Sequence, residues 1–315
     1  MTDNPYSSYP RYLAAKRSLD DRCLNRHVWY ALARHLPYTT PERPLRVLEV
    51  GAGIGTMFER AVEWNLLHHA HYHALDSSAE NIATALERLP VWASKRAMEV
   101  KQPAPNQLEM IGPNREFQVN LETIDLFDFL DRQEKDESGT PAWDLIIAHA
   151  FLDIVDLSET LPRLLALIQP GGFFLFTLNF DGMTLFEPPL DPNLDAAIEA
   201  LYHKTMDNRW VNNRPSGESR SGRRLFSLVK DFGGEILAAG ASDWVVTPIA
   251  GAYEQDEAYF LHFIIATVQQ ALQGDPELDP AAFEQWIAAR HAQIERGELT
   301  FIAHQLDFAG RNPAR

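Results

Sequence analysis

Glu49 and three glycines, Gly51, Gly53 and Gly55, stand together in RVLEVGAGIGTMFER, residues 46–60. Glycine at such positions lets the backbone approach a ligand and adopt positive φ. The helix expected next offers free N–H groups and the positive end of its dipole. A dinucleotide loop reads G-x-G-x-x-G, and its last glycine lets helix and strand pack closely; Thr56 stands at that position here. A carboxylate two residues ahead of the loop suits a ligand with a positive amino group better than a pyrophosphate. Farther on, His149 lies at the end of the apolar run WDLIIAHA with Asp153 just past it, and Asn179 ends FFLFTLN with Asp181 just past it. Polar groups just past strand ends are placed to meet a substrate as base or anchor, or to stabilise a turn. RPSGESRSGRRLF (214–226) joins hydroxyl and N–H donors to Arg220, Arg223 and Arg224. That set suits a carboxylate or phosphate, as an anion-binding lid; the plainer reading is a solvated loop opening a helix. HHAHYH (68–73) holds four histidines, but no nearby acid or cysteine completes a metal set, so no metal is expected.

The elements that must position these groups alternate. LRVLEV (45–50), HYHALD (71–76), a strand within FQVNLETIDLFDFL, WDLIIAHA (143–150) and PGGFFLFTLNF (170–180) read as strands. TMFERAVEW, SAENIATALERL and SETLPRLLALI read as the helices between them, with Pro162 in the first turn of the last. Near-continuous apolar strands separated by helices imply a parallel sheet covered on both faces. Residues 10–36 read as one helix, with Tyr12, Lys16, Arg22 and Asn25 able to face a pocket, and residues 90–115, with four prolines, as irregular. Residues 181–222 read as an insertion with one short helix near DAAIEALYHKTM. A helix around LFSLVKDF, a strand within EILAAGASDWVVTP, two helices (256–272 and about 280–296) and the last strand LTFIAHQLDF complete the chain. Asp279, Pro280 and Gly297 bound the second of those helices. In the first, aromatic spacing reads as core, with Tyr253, Asp256, Glu257 and His262 as possible pocket residues.

The chain has 315 residues, 45% of them hydrophobic, enough for a sizeable core. A net charge of −16 repels nucleic-acid phosphates, so no nucleic-acid partner is expected. The one cysteine, Cys23, excludes an internal disulfide and fits a reducing cytoplasm. MTDNPYSSYP lacks a signal-peptide layout, and FLHFIIATV is far short of a membrane span, so a cytoplasmic protein without a membrane partner is expected.

VLEVGAGIG resembles motif I of class I S-adenosylmethionine-dependent methyltransferases. The resemblance continues over residues 45–180: Asp76 in HALDSS matches the family's ribose-binding acid, Asp125 in ETIDLF its adenine-contacting residue, and WDLIIAHAFLD with LIQPGGFFLFT its fourth and fifth strands. ASDWVV, DEAYFLHFI and IERGELTFIAHQLDF are similar to a bacterial and archaeal branch to which no substrate attaches. The resemblance implies a Rossmann-like α/β fold, with a seven-stranded, mostly parallel sheet whose last strand is antiparallel, plus N-terminal helices and helical insertions. Residues 1–44 would cap it, 45–180 bind the cofactor, 181–222 form a substrate lid and 223–315 complete the sheet around an inserted helical pair. It implies S-adenosyl-L-methionine as cofactor, held by Glu49, Gly51, Ala52, Gly53, Gly55, Asp76, Ser77, Ile124, Asp125, Ala148 and His149. His149 and Asp153 are the catalytic candidates, and Asn179, Arg220, Arg223 and Tyr253 the substrate-binding ones.

Methyl transfer is an in-line displacement in which alignment can supply roughly 7–11 kcal/mol at the extreme, and a base is needed only where the nucleophile must lose a proton. HAFLD (149–153) replaces the Asn-Pro-Pro-Tyr of amino methylation on bases and glutamine, and no cysteine pair suits cytosine C5 chemistry. The expected activity is therefore methyl transfer to O or N of a small metabolite, anionic ones included. A cofactor-binding sensor or partner subunit without catalysis is the alternative, and an RNA or protein methyltransferase the third. The sequence leaves the oligomeric state open.

Overall fold

The computed structural model describes residues 5–135 and 142–313. The first four residues of the expected cap lie outside it. Three short helices lead: α1 (Tyr9–Ala15), α2 (Arg17–Cys23) and α3 (Arg26–Ala33). The single helix expected over 10–36 is broken because Leu24 and Asn25 leave helical geometry, and Asn25 caps α3 by accepting from the Val28 N–H. The central alternation then runs β1 (Leu45–Val50), α4 (Thr56–Glu63), β2 (His69–Asp76), α5 (Ala79–Ser94), β3 (Glu99–Ala104), β4 (Gln107–Gly112), β5 (Arg115–Thr123), α6 (Leu126–Lys135), β6 (Trp143–His149), α7 (Leu157–Leu167) and β7 (Ile168–Glu187). After it come α8 (Pro192–Asp207), the hairpin β8 (Trp210–Val211) and β9 (Arg214–Pro215), α9 (Ser221–Asp231), β10 (Glu235–Ala241), β11 (Trp244–Val246), α10 (Glu257–Leu272), α11 (Pro280–Glu295) and β12 (Thr300–Arg311).

Five strands are parallel, in the order β5-β2-β1-β6-β7, and β12 lies antiparallel between β7 and β10. This is the expected Rossmann-like α/β arrangement, a seven-stranded, mostly parallel sheet with an antiparallel late strand. β3, β4 and β11 extend it to ten. The stretch expected to be irregular is thus an antiparallel hairpin on β5. Leu108 and Met110 alternate inward, and Pro103 and Pro105 sit on or beside the outermost strand, where no ladder N–H is missed.

Consecutive residues of β1 serve opposite faces. Val47 packs with α1–α5 and with α8, α10 and α11, while Leu48 and Val50 pack with α6, α7 and α9. Pro162 lies inside α7, not in its first turn, because Asp156 rather than a later residue caps the helix. The carbonyl that loses its partner belongs to Ser158, an exposed residue. β7 crosses residue 180 and pairs with β12 as far as Glu187, so the inserted segment begins at α8 rather than at 181. Trp210 is exposed on the β8–β9 hairpin. No helix among the described residues is long and apolar enough to cross a membrane.

Candidate active site

Strand order reverses between β1 and β6, and such a switch point opens a crevice beyond the strands' C-terminal ends. The glycine loop lines it. Gly51 has φ +66° and Gly53 φ +55°, values that disfavour any side chain. A Cβ on Gly51 would stand 2.2 Å from the Phe151 ring, and one on Gly53 2.9 Å from Leu13 Cδ1. The loop is therefore clamped between the segment after β6 and helix α1.

Asp76, at the tip of β2, accepts from the N–H of Gly53 (2.8 Å), the N–H of Ser78 (2.8 Å) and the Asn81 amide (3.1 Å). Asp125 accepts from the N–H of Phe127 at 2.8 Å and starts α6. Glu49 is buried, accepts from the Tyr72 hydroxyl at 2.7 Å, and has no ion-pair partner among the described residues. Burial pushes its carboxyl up to about 8, against the Tyr72 hydrogen bond and the Arg60 charge. A buried carboxyl that a cation beside it would ionise, and a carboxylate ordering the glycine loop, fit the amino and ribose ends of S-adenosylmethionine. When bound, that group supplies a methyl carbon on a positively charged sulfur.

Glu49 carries a pH prediction. An ordinary glutamate ionises near 4.3, so the native state holds the extra proton over the interval up to about 8. Its stabilising contribution is complete below pH ~4 and is lost as pH rises through the native value, by roughly 3–5 kcal/mol in all. Thermal melts of the ligand-free protein should show this decline between pH 5 and 8, and Glu49→Gln should remove it; an equal decline in both proteins would refute the assignment.

The cleft measures about 780 Å³. Of the residues expected at the cofactor, Glu49, Gly51, Ala52, Gly53, Asp76, Ser77, Ile124, Asp125 and His149 line it. Gly55 instead precedes α4 and packs on Leu89, and Ala148 is buried on the opposite face of the sheet. Ala150 lines the cleft in its place. Ala150 (φ +49°) and Leu178 (φ +55°) both hold left-handed backbone at the cleft wall. Their N–H groups are tied to the Thr177 carbonyl (2.8 Å) and the Asp307 carboxylate (2.7 Å), which keep strained residues in place.

None of the four expected substrate residues lines the cleft. The Asn179 amide donates to the Leu306 carbonyl, and the Tyr253 hydroxyl to the Leu299 carbonyl. Arg223 pairs with Asp181 at 2.8 Å, Arg224 with Glu218, and Arg220 is exposed at the start of α9. An anion-binding lid built on these arginines is not what the chain forms; Asp181 and Glu218 satisfy two of them internally. Arg209 and Arg214, from the same inserted segment, reach the cleft instead. Of the helix positions weighed at the N-terminus, Tyr12 and Lys16 line the cleft, whereas Arg22 pairs with Glu257 and Asn25 bonds the Ala241 carbonyl. Asp256 pairs with Arg11, and His262 stacks on His291, both away from the cleft. In the histidine run, His71 is exposed and His73 bonds Glu122.

His149 is enclosed by a network the sequence did not announce. Its Nε2 lies 3.2 Å from Asp20 Oδ2 and its Nδ1 2.8 Å from Thr177 Oγ. Asp20, on α2, also pairs with Lys16 at 2.9 Å and accepts from Trp244 Nε1 at 3.0 Å. Burial pushes the imidazole down to about 4, so it is neutral. Asp20 can only accept, and at 3.2 Å it draws the proton to Nε2 in preference to the more distant Arg60 guanidinium at 3.5 Å, leaving Nδ1 to accept from Thr177. Both ring nitrogens are occupied, and His149 shapes the wall rather than offering a free base. Asp153 differs: it lines the cleft, and its buried Oδ1 has no hydrogen-bond partner.

Residues 48–174 match the family model described as a methyltransferase domain. The matched stretch is a methyltransferase domain and takes in the glycine loop, Asp76, Asp125, His149 and Asp153. No curated protein matches it. Among solved structures it is similar to a Bacillus halodurans C-125 protein provisionally assigned as a methyltransferase, at 10% identity over 92% of this chain and 100% of that one, with a TM-score of 0.49. It is also similar to geranyl diphosphate C-methyltransferase from Streptomyces coelicolor A3(2), crystallised with Mg2+, geranyl diphosphate and S-adenosylhomocysteine (11% identity, 99% and 86% coverage, TM-score 0.45). A third is a methyltransferase from Thiobacillus denitrificans in complex with S-adenosylhomocysteine (13% identity, 95% and 97% coverage, TM-score 0.43).

Proposed function

We propose that the chain transfers a methyl group to O or N of a small metabolite held in the outer half of the cleft. The observation that carries this reading is the aromatic part of the cleft wall. Tyr9, Tyr12, Phe180, Tyr202, Trp244 and Phe263 converge there from α1, β7, α8, β11 and α10. A volume of about 780 Å³ sits inside the range of roughly 300–1,000 Å³ of small-molecule sites. It suits a cofactor and a compact acceptor side by side better than a polymer. Glu49, the glycine loop, Asp76 and Asp125 hold the cofactor in this reading, and the cap and inserted segment close the acceptor side. Net charge −16 supports a partner other than nucleic acid, and the single Cys23 supports a reducing, cytoplasmic setting.

The test has two stages. S-adenosylmethionine and S-adenosylhomocysteine should each raise the melting temperature. Labelled S-adenosylmethionine, incubated with fractionated small-molecule extracts, should pass its methyl to a low-mass product. Cofactor binding with transfer to no small molecule in any fraction would favour the non-catalytic sensor, and label found only in protein or RNA would favour a macromolecular substrate.

A further inference from the structure

We infer that the acceptor is an amine, taken up as its ammonium ion against Asp153. This rests on the small-molecule reading above and narrows it. Asp153 has no ion-pair partner among the described residues, although a guanidinium is close by. That guanidinium, of Arg209, donates instead to the Ser216 carbonyl at 2.7 Å and to the backbone carbonyl of Asp153 at 3.5 Å. The carboxylate is thus left for something that enters the cleft.

The charge around it points the same way. Besides Glu49, which burial keeps protonated at neutral pH, four carboxylates line the cleft (Asp76, Asp125, Asp128 and Asp153) against three cations (Lys16, Arg209 and Arg214). Two of those cations are already neutralised from outside the lining, Lys16 by Asp20 at 2.9 Å and Arg214 by Glu159 at 3.2 Å. A cleft of one sign with low-dielectric walls concentrates the opposite charge. The aromatic wall adds to this. Tyr12 stacks on Phe263 with centroids 4.1 Å apart and meets Tyr9 at 5.6 Å. Ring faces attract an ammonium, and phenol oxygens accept its N–H groups. An anionic acceptor would set a like charge against Asp153, whose Oδ1 is buried and without a partner.

Asp153 also suits the proton that amine methylation must remove. Burial raises its carboxyl above the usual range, against its own backbone N–H and the charges of Arg209 and Lys16. In the step, the ammonium gives one proton to the Asp153 carboxylate and becomes a neutral amine. The nitrogen lone pair then bonds the methyl carbon while the carbon–sulfur bond breaks, its electron pair staying on sulfur. The product leaves as the methylated ammonium, and Asp153 returns its proton to water.

The test is calorimetric binding to the protein saturated with S-adenosylhomocysteine, using amines matched with their alcohols: benzylamine with benzyl alcohol, phenethylamine with 2-phenylethanol, cyclohexylamine with cyclohexanol. At least one amine should bind more than about tenfold tighter than its alcohol, a difference of ~1.4 kcal/mol. Asp153→Asn should erase that preference and leave the affinity for S-adenosylhomocysteine unchanged, and Asp153→Ser repeats the measurement should the amide variant fold poorly. A panel in which no amine exceeds its alcohol, or a preference that survives both variants, would overturn the proposal. Failure of the wild type to bind S-adenosylhomocysteine would instead remove the cofactor reading beneath it.

Discussion

Asp76→Ala should weaken S-adenosylmethionine binding by about 100- to 1,000-fold. One carboxylate here does two jobs. It holds the N–H groups of Gly53 and Ser78, each at 2.8 Å, and so joins the glycine loop to the start of α5. In the assignment made above it also accepts the cofactor's ribose hydroxyls. A hydrogen bond to a charged group contributes about 1.5–3 kcal/mol, and two of them account for the lower part of that loss at ~1.4 kcal/mol per tenfold. Loosening of the loop accounts for the remainder. Calorimetric titration with S-adenosylhomocysteine reads the effect directly. Asp76→Asn keeps the shape but must point an N–H at one of its present donors, so it should also bind weakly. An unchanged dissociation constant in the alanine variant would place the ribose elsewhere.

Asp20→Ala should lower stability by about 3–5 kcal/mol, the usual result of removing one partner from a buried ion pair. It leaves Lys16, with only 6% of its side chain exposed, facing His149 and the Trp244 N–H with no acceptor. For a chain of this size that is on the order of 10 °C in melting temperature. The pH dependence gives a second check. Burial alone would raise the Asp20 carboxyl, but Lys16, the His149 hydrogen bond and the Arg60 charge outweigh it and hold the group well below the usual range. A native value below the unfolded one means the stabilisation is complete above pH ~4 and is lost as pH falls further. The gap between wild type and variant should therefore be wide at pH 7 and narrow in strong acid. A gap under ~1 kcal/mol at neutral pH would show that the network is incidental.

The donor half of the cleft was legible in the sequence because its signals are local. Strand, glycines and helix follow one another within residues 45–63, and Asp76 closes the next strand. The acceptor half was not, because its parts meet across the chain. Arg223 reads as a free cation until Asp181, on β7, is folded against it. Lys16 and Asp20 stand four apart, a spacing that marks an ion pair on one helix face, but nothing in it says that the pair is buried against His149. Arg209 carried no signal at all; its place follows from the short hairpin after α8. The edge hairpin was hidden by its prolines, which punctuate loops and outer strands alike.

The two ends of the cleft are drawn from different stretches of chain. Glu49, the glycine loop, Asp76 and Asp125 lie within residues 49–125, while Tyr9, Tyr12, Asp153, Tyr202 and Phe263 come from segments before and after it. A lineage could therefore reshape what receives the methyl group by altering peripheral segments, with the part that presents it left untouched. The same partition offers a design route: transplanting the leading helices together with residues 188–216 should redirect specificity as a unit, because those segments share one cavity and leave the donor loop's own hydrogen bonds intact.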